Sequence, residues 1–271
     1  MQQPDSTFDF PAQHVAIEVD DVTVAYRSYR ERPTSLKESI VKFLRTGKLR
    51  HWSTFNALSG VSFCVPRGTV LGIIGSNGSG KSTLLKVLAQ VLHPTRGSAR
   101  LHGTVSSLIE LGAGFDPELT AVENIFLNGT LHRRSVTEIR RRIGDILEFA
   151  ELQDFANTPI KYYSSGMYAR LGFSVAIDIN PDILLVDEIL AVGDERFQSK
   201  CHAVFERFIR EGKTIVIVSH STEMLLGLAS TIALLSKGQL VFMGAPDTAV
   251  QMYRDNSYLA LLQSHGPQNQ D

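Results

Sequence analysis

The 271-residue chain carries 27 Lys/Arg against 28 Asp/Glu, a net charge of −1, so no global basic field argues for nucleic acid as a partner. Its 43% hydrophobic and 20% charged residues suit a soluble globular protein. No apolar run approaches the roughly 20 residues that a bilayer crossing needs, and residues 1–10 lack the basic start and apolar core of a signal peptide. Work at a membrane would therefore need docking through a partner.

The length is at the upper end for one core, which predicts one domain with a subdomain. Residues 1–13 form a polar tail. Ala16–Val19 and Val22–Tyr26 read as a first strand or hairpin edge. Residues 27–56 look like an insertion, with eight Arg/Lys against two Glu between Arg27 and Arg50. Within it Leu36, Ile40, Phe43 and Leu44 recur at helical spacing between lysines. This predicts a short basic amphipathic helix, either packed on its own domain or presented to a membrane surface or membrane partner. Ala57–Val65 resumes the strand pattern, and Pro66-Arg67-Gly68 turns it.

The next stretch organises the chain. Gly75-Ser76-Asn77-Gly78-Ser79-Gly80-Lys81-Ser82 fits G-x-x-x-x-G-K-[ST], the phosphate-binding loop. The apolar run Val70–Ile74 leads in as a buried strand, and Thr83 onward leads out as a helix to about Leu92. Glycines let backbone N–H groups curl toward phosphate oxygens, and the helix N-terminus adds its positive end. Lys81 would reach the β- and γ-phosphates, and Ser82 would hold Mg²⁺.

Ala99–Ile109 reads as strands and Leu111–Leu119 as a loop. Residues 115–165 form an inserted helical unit. Ala121–Asn128 is its first helix. Ser135 and Glu138 form a capping box before a helix whose face is Ile139, Ile143, Ile146, Leu147 and Ala150. Ser164-Ser165-Gly166-Met167 opens a helix stopped by Pro181. Ile183–Glu188 is a buried strand ending in two acids, Phe197–Arg210 an amphipathic helix, and Thr214–His220 a strand ending in histidine. Residues 232–243 make a hairpin through Lys237-Gly238, and a last helix spans about Pro246–Arg254. Residues 256–271 are a polar tail. Cys64 and Cys201 lie in apolar patterns without metal spacing, as buried free thiols.

In open α/β sheets, sites lie at the carboxyl ends of strands. Asp187 fits an acid that holds Mg²⁺, directly or through water. Glu188 is the candidate general base for the water that attacks the γ-phosphate. His220 would contact the γ-phosphate and position Glu188 or the water, its strand adjoining that of Asp187. The Tyr163–Met167 turn offers N–H groups, a hydroxyl and a positive helix end to an anion. It lies at the far end of the helical unit, so a head-to-tail dimer would bring it to the other copy's phosphate loop.

Gly75–Ser82, Tyr163–Met167, Ile183–Glu188 and Ser219-His220 occur in the order found in the nucleotide-binding domains of ABC transporters, which the chain resembles from about residue 16 to 255. The resemblance implies an α/β P-loop ATPase over residues 14–255: a mixed sheet core, an inserted helical subdomain and an antiparallel β edge. It implies ATP and Mg²⁺ as cofactors. Gly75–Ser82 and Thr83 would hold the nucleotide from one copy, and Ser164, Ser165 and Gly166 from the other. Tyr163–Met167 resembles the Leu-Ser-Gly-Gly-Gln signature with departures at its first, third and last positions. Asp194 matches a dimer-contact acid. Glu110 stands where the family usually has a glutamine that senses Mg²⁺ or water. Tyr26 would stack on adenine, with Trp52 or Phe55 as alternatives.

Leu108–Phe115, Glu118-Leu119-Thr120, Glu123-Asn124-Ile125, Tyr163–Met167 and Leu190–Asp194 are similar to the ATPase subunits that export bacterial surface polysaccharides. That likeness implies a homodimer under a polytopic, homodimeric permease, peripheral on the cytoplasmic face of the plasma membrane. Such a complex moves a lipid-linked polysaccharide of O-antigen, capsule or teichoic acid type. It places the basic insertion near the permease. Some such exporters carry a C-terminal carbohydrate-binding domain; here the polar tail after Met252 implies that this subunit does not read the glycan terminus. Two other functions compete: a soluble ABC ATPase that remodels a nucleic-acid or translation complex, and a kinase-like phosphotransferase. The first usually carries two such domains in tandem, and the second needs an acceptor site that the motifs do not suggest.

Overall fold

A computed structural model describes residues 14–29, 52–109, 111–187 and 193–259. The predicted insertion helix at Leu36–Leu44, Glu110 and Glu188 lie outside the described residues, as do residues 1–13 and 260–271. No described helix is long and apolar enough to cross a membrane.

In chain order the strands are β1 (Val15–Tyr29), β2 (Trp52–Pro66), β3 (Val70–Ile74), β4 (Arg96–Leu101), β5 (Val105–Ser107), β6 (Ile183–Asp187), β7 (Thr214–Val218), β8 (Thr231–Ser236) and β9 (Gln239–Gly244). The helices are α1 (Lys81–Leu88), α2 (Ala121–Leu131), α3 (Val136–Ala150), α4 (Ser165–Asp178), α5 (Glu195–Arg210), α6 (Thr222–Leu228) and α7 (Pro246–Arg254). β2, β1 and β4 form an antiparallel sheet, and the second sheet has the order β5-β6-β7-β3-β8-β9. Its first five strands run parallel, and β9 returns antiparallel to β8.

Strands β3, β6, β7 and β8 of the second sheet are apolar at nearly every position because both faces are covered. Alternate residues point opposite ways. Leu184, Val186, Ile215 and Ile217 join one apolar cluster with α4 to α7, while Ile183, Leu185, Val216 and Val218 join another beneath the three-stranded sheet and α1. On α5, Phe197, Cys201, Val204, Phe205 and Phe208 are buried at helical spacing. Phe197 meets Phe173 edge to face, with centroids 5.8 Å apart. Asp194 caps this helix by accepting from the Phe197 N–H at 2.9 Å.

Several expectations change. β1 and β2 pair out to Tyr29↔Trp52, so the two ends of the expected insertion, Arg27–Tyr29 and Trp52–Asn56, are paired strand. Cross-strand hydrogen bonding satisfies their backbone whatever the charge of the side chains. The complete capping box belongs to α2: the Thr120 N–H and hydroxyl both donate to Glu123, at 2.8 Å, and the Glu123 N–H donates to Thr120 Oγ1. Those two bonds hold the Glu123 carboxyl below its ordinary pKa. At α3 only half the box forms, because Ser135 accepts from the Glu138 N–H while the Glu138 carboxylate turns to Arg134. Helix α6 is an element that apolar spacing does not announce; it has seven residues and one fully buried side chain, Leu225. Both cysteines are free thiols, but Cys64 is only half-buried. Burial pushes the Cys201 thiol up to about 12.

The helical unit has its own apolar centre, including Ile125, Ile139, Ile146, Leu147 and Ile160. Helix α4 serves both centres: Leu171 and Val175 face the helical unit, Phe173 and Ile177 the sheet. The same helix anchors an ion-pair cluster. The Asp178 side chain is 6% exposed and accepts from Arg134 at 2.5 Å and Arg142 at 2.6 Å. Removing one member of a buried pair strands the other charges. Asp178→Ala should therefore lower stability by about 2–3 kcal/mol, a value reduced because Arg142 is half-exposed. The urea midpoint checks this, and an unchanged midpoint would show that the two arginines find other acceptors.

Candidate nucleotide-binding site

The site forms where β3 ends. Parallel register aligns Asp187 with Val218 across β6 and β7, and Val218 with Ile73 across β7 and β3. Asp187, His220 and the phosphate loop therefore leave the sheet together at the carboxyl ends of its strands. The loop is shaped by close contact as well as by its own turns. At Gly75, φ is 153°, and a Cβ would lie 2.2 Å from the Leu235 carbonyl oxygen and 2.6 Å from Ser79 Oγ. At Gly80, φ is 106°, and a Cβ would lie 2.6 Å from the Ala57 carbonyl oxygen. Any larger residue at either position would push β8 or β2 away.

Lys81 is 6% exposed, and its Nζ donates to the carbonyls of Gly75 at 2.8 Å and Ser76 at 3.0 Å. A buried ammonium requires such acceptors. They hold its charge under the loop. Ser79 Oγ is buried with no hydrogen-bond partner among the described residues. A buried hydroxyl left unsatisfied is costly, and a phosphate oxygen is a suitable partner for it.

A cavity of about 590 Å³ opens in front of the loop. Of the expected nucleotide-binding residues, Tyr26 and Asn77 to Thr83 line it, together with Asp187 and His220. Gly75 and Ser76 are not in its wall; their carbonyls face Lys81 instead. Tyr26 and Phe55 are cross-strand partners on β1 and β2, stacked with centroids 5.6 Å apart. Both stay exposed, at 37% and 57%, and both line the cavity. Trp52 pairs with Tyr29 in the backbone register, three positions further along the hairpin. Asn56, Ala57 and Lys237 also border the cavity. They arrive from β2 and the β8–β9 turn by tertiary packing, so the loop motif carries no sign of them.

Two oxygen donors, the Ser82 hydroxyl and the Asp187 carboxylate, share this wall. Mg²⁺ takes oxygen ligands and needs only one or two from protein beside phosphates and water, so this donor set fits it. Among the described residues no group of three or more His, Cys, Asp or Glu could hold a metal.

Ser164, Ser165 and Gly166 are not in this cavity. Ser164 caps α4, its Oγ accepting from the Met167 N–H at 3.2 Å. A Cβ on Gly166 would meet only Ser164 Oγ, at 3.9 Å. Nothing else in the chain's described residues crowds that glycine, and the turn faces open space.

A family model described as ABC transporter matches residues 58–191. The O-antigen export system ATP-binding protein RfbB of Klebsiella pneumoniae is 40% identical over 88% of this chain and 97% of its own length. The protein of the same name from Myxococcus xanthus is 40% identical over 94% of this chain, which spans 59% of that longer protein. The teichoic acids export ATP-binding protein TagH of Levilactobacillus brevis is 40% identical over 93% of this chain and 66% of its length. Among solved structures, a dimeric ATP-binding cassette bound to ADP and Pi covers 85% of this chain and 98% of its own with a TM-score of 0.66; at 23% identity this is a likeness of fold. With the phosphate loop, the aligned strand ends and these relatives together, the chain belongs to the ABC transporter family, among the ATP-binding subunits of bacterial polysaccharide export systems.

Proposed function

We propose that this chain hydrolyses ATP to power export of a lipid-linked surface polysaccharide, of O-antigen or teichoic acid type, through a polytopic membrane permease. The observation that carries this reading is the reciprocal match to the Klebsiella O-antigen export subunit, over 88% of one chain and 97% of the other. The loop and cavity supply the chemistry. Phosphates would sit on the loop N–H groups and the α1 N-terminus, with Lys81 below. The stacked Tyr26–Phe55 pair offers aromatic faces for adenine. Ser82 and Asp187 would hold Mg²⁺, which when bound offsets charge on the β- and γ-phosphates. Glu188, next after Asp187 at the end of β6, would take a proton from the attacking water, and His220 would orient that water or the γ-phosphate. Glu110 would take the place of the glutamine usual in the family.

Completion of the site calls for a second copy. Ser164 and Gly166 lie outside the cavity, on a helix end that suits an anion. In an ATP-sandwiched homodimer each copy's α4 N-terminus would meet the other's γ-phosphate, with Asp194 near the contact. The energy of closing two copies on two nucleotides would then reach the permease. Peripheral attachment to the cytoplasmic face of the membrane follows from that partnership. The competing soluble, nucleic-acid-remodelling function has less support, since relatives over most of the chain are export subunits and the net charge is −1.

The direct test is purification of tagged Glu188→Gln from gently solubilised membranes of the native host with ATP present. A polytopic membrane protein in about equal amount, with a glycolipid, is the expected result; ribosomes or nucleic acid without a membrane partner would overturn it. The same variant should bind ATP normally while turnover falls by about 100-fold or more, the usual range for losing a general base. Normal turnover would remove Glu188 from that role. Ser164→Arg should leave ATP binding to the single chain intact and abolish ATP-driven dimerisation, as read by sedimentation; persistent dimers would rule out the two-copy site.

A further inference from the structure

The β8–β9 hairpin turns on two residues, Lys237 and Gly238, between the paired Ser236 and Gln239. Both have positive φ, 48° and 77°. A two-residue hairpin turn of this kind favours Asn-Gly, Asp-Gly or Gly-Gly, because the first position is left-handed as well as the second. Lysine is a poor choice there. Nothing in the turn's own packing asks for it: its side chain is exposed and forms no hydrogen bond or ion pair with any described residue.

What the turn does is fixed by its neighbours. The Gly238 N–H donates to the Ser79 carbonyl at 3.0 Å, and its own carbonyl accepts from the Ser59 N–H at 2.8 Å. A Cβ at Gly238 would lie 2.7 Å from the Ala57 carbonyl oxygen. The turn is thus tied both to the phosphate loop and to β2, and Lys237 borders the same cavity as Asn77, Gly78 and Tyr26. Lys81 supplies its charge from beneath the loop, where it is nearly buried; Lys237 supplies a second ammonium from the solvent side, on a separate element.

We propose that Lys237 is a second cationic binding residue for the nucleotide's phosphate chain, selected for its charge against the preference of the turn. This rests on the nucleotide reading of the cavity. Because the ammonium is exposed, its attraction is modest and screened by salt.

Calorimetric titration of the full-length chain with Mg-ATP tests it, using wild type, Lys237→Asn, Lys237→Arg and Lys81→Ala. Lys237→Asn should weaken ATP binding about fivefold at low salt, the scale of one exposed charge pair. The deficit should shrink as salt rises. Without nucleotide its melting temperature should equal or exceed wild type, since asparagine suits the turn. Lys237→Arg should bind within about twofold of wild type, as its charge is kept. Unchanged affinity in Lys237→Asn, with loss in Lys81→Ala, would overturn the role of Lys237 and leave the site standing. Equal losses in Lys237→Asn and Lys237→Arg would also overturn it, since charge would not be the cause. Full affinity in Lys81→Ala would instead overturn the nucleotide reading itself.

Discussion

The arrangement depends on a phosphate loop gripped by backbone on two sides. Gly75 lies under the Leu235 carbonyl of β8, and Gly80 under the Ala57 carbonyl of β2. Gly238 links Ser79 to Ser59. These contacts hold the loop backbone against β8, β2 and the β8–β9 turn. Ser79 Oγ, buried without a partner among the described residues, is a local cost of holding that shape.

Register in the parallel sheet sets the second half of the site. A slip of one residue between β6 and β7 would reverse which face each side chain occupies. Leu184 and Ile215 would then trade clusters with their neighbours, so apolar burial on both faces protects the alignment of Asp187 with Val218. The position of the Asp187 carboxylate is thus secured by aliphatic residues elsewhere on the two strands. Burial of this kind is worth about 1.5–3 kcal/mol for each large aliphatic side chain.

Helix α4 connects this rigid centre to the helical unit. Its two apolar faces bury Phe173 and Ile177 on one side and Leu171 and Val175 on the other. Its N-terminus carries Ser164, and its C-terminus carries Asp178 with two arginines bound. A displacement of the helical unit must therefore carry the Ser164 turn with it. That coupling is what an ATPase needs if nucleotide held between two copies is to move something else.

Much of this was legible in the chain itself. The phosphate loop is local chemistry: glycines, a lysine and a serine at fixed spacing between a strand and a helix need no distant partner to be read. The same holds for the helix that opens at Ser164, for the acid at the end of an apolar strand, and for the amphipathic face of α5. Other features were settled by tertiary structure. The ends of the expected insertion are strand because Arg27–Tyr29 found partners 23 or more residues away in Trp52–Thr54. Glu138 left its capping role for Arg134, an i,i+4 neighbour that tertiary pairing with Asp178 holds in place. Tyr26 meets Phe55, and Lys237 comes to border the same cavity as the phosphate loop, only because sheets bring them together. Sequence alone determined which groups this protein possesses and the local turns that present them, since those follow from covalent geometry and spacing. Only the folded chain decided which groups share a cavity, because that depends on strand order and register, which arise from burying apolar surface between segments distant in sequence.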